Sequence, residues 1–104
     1  MSISSLRHKY KKLNNSKQNV RSLMLELFRN SGNDYTTERM HGHMYRCGMN
    51  ADEGRLYKLM LELESEGKLV FVGHLPIYTD NNHVYIGTDP IFGLINQGDS
   101  ISEN

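Results

Sequence analysis

His41, His43 and Cys47 are the residues whose types and spacing come nearest to a metal site. His43 and Cys47 stand at i, i+4, so an imidazole and a thiolate could share an ion on one helical face. A third and a fourth ligand would have to come from His74, His83 or a carboxylate, and no spacing demands one. A buried Cys47 beside exposed histidines is the simpler reading, and no metal or cofactor is expected. Covalent and phosphate chemistry have no better start. The sequence holds no glycine-rich phosphate loop, no nucleophile elbow and no recognisable pair of catalytic carboxylates. Asp52 with Glu53 reads as a helix cap, and Glu62, Glu64 and Glu66 as a solvated face. An enzyme is not expected.

Charge is more informative than any motif. The formal net charge is zero, yet residues 1–30 carry Arg7, Lys9, Lys11, Lys12, Lys17, Arg21 and Arg29 against Glu26 alone. The remainder has five basic residues against eleven acidic ones, and no Lys or Arg follows Lys68. This split suggests a basic arm suited to a polyanion, with an acidic body behind it. The single cysteine excludes an internal disulfide. No apolar run approaches a membrane span, and the first residues lack the apolar core of a secretion signal. The expectation is a cytoplasmic protein with no membrane partner.

The elements that must position these groups follow from capping and periodicity. Leu6, Tyr10 and Leu13 recur at i, i+4 and i+7 without an evident core partner. Residues 1–16 are therefore read as a flexible basic arm, loose or only locally helical. Ser16 caps a first firm helix over 17–30, with Val20, Leu23, Met24, Leu27 and Phe28 as its apolar stripe. A second helix follows Tyr35, capped by Thr36 or Thr37, and puts Met40, Met44 and Cys47 inward. A third begins at Asn50 with Glu53 three residues on, a capping-box-like start. It buries Leu56, Leu59, Met60 and Leu63 and ends at Gly67. Val70–Val72 and Val84–Ile86 read as strands, with turn chemistry at Asp80–Asn82 and Pro76 at an edge or bend. Ile91–Ile95 is a last apolar patch, read first as a cover over the core and second as a dimer surface.

The order helix, helix, helix, strand, turn, strand resembles the winged helix-turn-helix superfamily. Tyr35–Met40 is similar to the capped start of that superfamily's second helix. Leu56–Leu69 is similar to the end of its recognition helix, where a Leu-x-x-x-Gly-x-hydrophobic turn enters the wing. The resemblance implies an α+β fold: a three-helix core with a C-terminal β-hairpin wing over residues 17–88, between the arm and a C-terminal extension at 89–104 that is partly disordered.

It also implies a partner, double-stranded DNA, and a regulator of transcription of bacterial or phage type. The third helix would enter the major groove, with Asn50 and Arg55 at base edges and Lys58 on phosphate. Arg39 and Arg46 on the second helix would touch the backbone. The wing departs from the pattern because it has no Lys or Arg, leaving Tyr78, Asn81 and Asn82 to hydrogen-bond phosphate oxygens. Lys9, Lys11, Lys12, Lys17 and Arg21 of the arm region would supply the missing charge. One module offers limited contact area, so a homodimer is expected, through Leu6, Tyr10 and Leu13 or through Ile91–Ile95. The alternative is an interaction module that binds a protein partner and has little DNA affinity.

Overall fold

The computed structural model describes residues 3–78 and 85–95, as four helices and a three-stranded antiparallel sheet. In chain order these are α1 (Ile3–Tyr10), α2 (Lys17–Ser31), β1 (Tyr35–Thr36), α3 (Thr37–Arg46), α4 (Glu53–Ser65), β2 (Leu69–Tyr78) and β3 (Tyr85–Leu94). The strand order β1-β3-β2 leaves β2 at an edge. This α+β layout is compatible with the winged-helix plan.

The three central helices form where caps and stripes place them. Ser16 accepts a hydrogen bond from the Asn19 N–H, and all five stripe residues of α2 are buried. Thr36, not Thr37, caps α3 by accepting from the Arg39 N–H, while Met40, Met44 and Cys47 are buried. The start of α4 differs from the expectation at Asn50. Asp52 is the cap, accepting from the Arg55 N–H at 2.9 Å. A cap has to stand immediately before the first helical residue, and Asn50 lies too far upstream of Glu53. At the other end Gly67 takes φ +80°. Its N–H bonds the Glu64 carbonyl and the Lys68 N–H bonds that of Leu63, which turns the chain into β2 with the last helical carbonyls satisfied.

Both ends of the chain contribute more than expected. The stretch read as a loose arm instead carries α1, whose Leu6 and Tyr10 are 1% and 2% exposed. Their i, i+4 spacing gives a short helix a two-residue apolar edge, and α2 with its neighbours supplies the core that receives it. The Tyr10 hydroxyl donates to Glu26 Oε2, which also takes an ion pair from Lys9 at 3.0 Å. Leu13 stays in solvent. At the other end, residues 89–94 of the expected C-terminal extension belong to β3, and Phe92 is buried. Its patch covers the core, as first read. Tyr35 and Phe71 flank Phe92 in register on the two neighbouring strands.

The hairpin is longer than the two short strands expected. Leu69 pairs with Leu94 at its base and Tyr78 with Tyr85 at the last described pair, with a register shift between Phe71 and Gly73. Pro76 sits in the edge strand, where its missing N–H is tolerated. The expected turn at Asp80–Asn82 lies outside the described residues.

Candidate nucleic-acid interface

The basic residues fall into two groups. Lys17 and Arg21 at the start of α2 reach the end of α4, where Lys17 pairs with Glu62 at 2.9 Å and Arg21 with both Glu62 and Glu66. Lys68 adds a looser contact to Glu66 at 3.5 Å. Together with Lys9 on Glu26, these cations are already balanced within the fold. Among the described residues, Arg7, Lys11, Lys12, Arg29, Arg39, Arg46, Arg55 and Lys58 form no ion pair. Glu62 of α4 and Glu66 just after it thus clamp two helices together, while Asp52 and Glu53 remain exposed at the start of α4.

That clamp has a pH signature. The hydrogen bond from Arg21 holds the Glu66 carboxyl at about 2, well below its ordinary 4.5. A carboxylate whose folded pKa is depressed stabilises the fold above its unfolded pKa, and the benefit disappears as pH falls through the folded one. Urea midpoints of the wild type and Glu66→Gln should therefore differ at pH 7 and converge as pH is lowered from 4.5 toward 2. The difference is small, because the pair is exposed to water. A gap that persists at pH 2 would show that the Arg21 contact is not its source.

Three of these unpaired cations, Arg7, Arg39 and Arg46, share a surface. Arg39, Gly42 and Arg46 lie at i, i+3 and i+7 on α3 and are exposed. With Glu38 and His43 they line one shallow hollow. Arg46 also lines the next, a groove of about 480 Å3 completed by Arg7 of α1 and by Tyr45, Gly48, Met49 and Asn50 at the α3–α4 turn. The turn is tight for a structural reason. Gly48 has φ +85°, and a Cβ there would stand 3.1 Å from Lys11. Asn15 Nδ2 donates to the Asn50 carbonyl at 2.8 Å, fastening the segment after α1 to the same turn. Arg39, Arg46 and Arg7, with the neutral Asn50, therefore line two adjoining hollows beside the start of α4, the first of which also holds Glu38.

The remaining expected site residues take varied places. Lys11 and Lys12 are exposed just beyond α1, Lys58 is exposed on α4, and Arg55 is half-buried. Tyr78 stands half-exposed on the hairpin with its ring edge-on to Tyr85. Asn81 and Asn82 lie outside the described residues. Arg7 and Tyr45 were missed as site residues. The signal for Tyr45 is an aromatic ring next to Arg46 at a helix end, and only the folding back of α1 brings Arg7 to it.

Burial lowers the pKa of His43, and the positive charges of Arg46 and Arg39 push it further the same way, so the imidazole is neutral near pH 7. Its Nδ1 is buried and has no hydrogen-bond partner among the described residues. Burial pushes the Cys47 thiol up, with Arg7 opposing, so the thiol stays protonated and poorly reactive. Among the described residues no three His, Cys, Asp or Glu side chains are grouped to hold a metal ion. No described helix is long and apolar enough to cross a membrane.

No protein-family model matches the chain, and no curated protein matches it in sequence.

Proposed function

We propose that this chain is a small nucleic-acid-binding protein of winged helix-turn-helix plan, a transcriptional regulator that holds double-stranded DNA in the cytoplasm. The observation that carries the reading is the pair of adjoining hollows lined by Arg39, Arg46, Arg7 and Asn50 beside the start of α4, with these arginines free of ion pairs among the described residues. In that plan α4 enters the major groove, with Asn50 and Lys58 exposed at and beyond its start and Arg55 half-buried next to them. The arginines of α1 and α3 then meet phosphates on the flank. Gly42, with nothing within 4 Å of where a Cβ would stand, lets a sugar-phosphate chain approach the α3 backbone between Arg39 and Arg46.

Phosphate neutralisation releases counterions, so each contact adds about 0.9 to the slope of log K against log salt. Anisotropy titrations of mixed-sequence duplex at several salt concentrations should therefore show a steep slope. The double variant Arg39→Ala, Arg46→Ala should flatten it by about two units and weaken all sequences alike. Arg55→Ala should instead relax base preference. Binding that ignores salt would sink the proposal.

A second reading rests on a different observation. The hairpin exposes Val70, Phe71, Val72, Leu75, Tyr78, Tyr85 and Ile86, and no Lys or Arg follows Lys68. A wing of this kind suits a protein partner better than phosphate. A chain that keeps its melting temperature but binds no duplex at low salt would favour this interaction module, or a homodimer joined through the hairpin.

A further inference from the structure

Tyr45 is 70% exposed, more than any other large apolar side chain among the described residues, yet it lies in the groove between α1 and the α3–α4 turn. Its ring meets no other ring and no cation among those residues. An aromatic face left in water beside guanidinium groups is a platform for a planar, anionic ligand. Three further features narrow the ligand. Among the described residues Arg7 and Arg46 stand on the same groove without an ion pair and no carboxylate lines it, whereas Glu38 lines the neighbouring hollow. Among the described residues the Asn50 side-chain amide has no hydrogen-bond partner, and Asn15 engages only its backbone carbonyl. The volume of about 480 Å3 falls within the roughly 300–1,000 Å3 of small-molecule sites.

We propose that this groove takes one unpaired nucleotide, with its base stacked on Tyr45, its phosphate held by Arg7 and Arg46, and its base edge read by the Asn50 amide. The inference deepens the nucleic-acid reading and rests on it. Gly48 and the buried Met49 also line the groove, and the Gly48 backbone packs against Lys11, which holds this wall in place. A base within a duplex cannot offer its face to Tyr45, because both faces are covered by stacking. The groove therefore selects a nucleotide at a frayed end or in a single-stranded overhang, or a free nucleotide of the same chemistry.

The test compares a blunt duplex with the same duplex carrying a short overhang that contains 2-aminopurine, for the whole chain. The overhang should bind roughly tenfold more tightly than the blunt end and its fluorescence should be quenched on binding, as expected for one base stacked on an aromatic ring. Tyr45→Ala should abolish the overhang advantage, and Tyr45→Phe should keep it, because the ring face and not the hydroxyl makes the contact. A nucleoside monophosphate that competes away the advantage would assign the site to free nucleotides as well, and failure to compete would assign it to strand ends. Equal binding of both duplexes, or an advantage that survives Tyr45→Ala, overturns the inference and leaves the duplex reading standing. Absence of binding to either duplex would overturn both.

Discussion

Leu6→Ala lowers the stability of the whole fold by about 2–5 kcal/mol, the ordinary cost of emptying a fully buried leucine site. The residue lies in a stretch whose composition is that of a tail, so the expectation runs against its sequence setting. Leu6 is 1% exposed and belongs to the same cluster as Leu27, Phe28 and Tyr35. Removing its side chain leaves a hole between α1 and the helices beneath it, with Tyr10 left as the buried apolar anchor among the described side chains of that helix. Urea unfolding followed by circular dichroism measures the loss. Leu13→Ala is the internal control, since Leu13 is 43% exposed and its truncation should cost less than about 0.5 kcal/mol. Equal midpoints for the two variants would mean that α1 is not part of the cooperative unit.

Phe92→Ala should cost about 3–5 kcal/mol, the largest single effect expected in the sheet. Phe92 is 1% exposed and sits on the central strand, opposite Tyr35 of β1 and Phe71 of β2. Its ring meets that of Phe71 edge-on at 6.1 Å between centroids. Truncation would empty the place where all three strands meet the helices. Phe71→Ala should cost much less, because that ring is 40% exposed and loses little burial. The comparison uses denaturant midpoints at a common slope. A Phe92→Ala variant within about 1 kcal/mol of the wild type would show that β3 does not close the core.

Both residues mark the limit of what the sequence discloses. The stripes of α2, α3 and α4 were legible because apolar residues at helical spacing leave few other places for a chain to fold. Ser16 was legible as a cap because it immediately precedes such a stripe. Asn50 misled because two cap-forming residues stand close together, and only the backbone decides which one adjoins the first turn. Leu6 and Tyr10 misled because two apolar residues on one turn carry too little pattern to separate a docked helix from a tail. β1 is two residues long and has no periodicity to read. For the candidate site, Arg39 and Arg46 could be found from their i, i+7 spacing on one helix. Arg7 and Tyr45 could not be found as lining one groove, since they come to the same side only when α1 folds back across the α3–α4 turn. The charge count likewise hid the division that matters, because Lys17 and Arg21 meet Glu62 and Glu66 across more than forty positions of chain.

The edge strand carries a consequence of a different kind. From Leu69 to Tyr78, β2 has no Asp, Glu, Lys or Arg, and half its residues are apolar side chains in water. The sequence as a whole has a pI of about 7.0. At neutral pH, then, neither the strand nor the molecule has a charge with which to hold a second copy at a distance. Colloidal repulsion is weakest near the isoelectric point and grows on either side of it. Among the described residues, the devices that keep one β2 from lying along another are the irregularities at Val72 and between Ile77 and Tyr78, and the ring of Pro76. Local backbone shape takes over the task that lysines perform on most exposed edges.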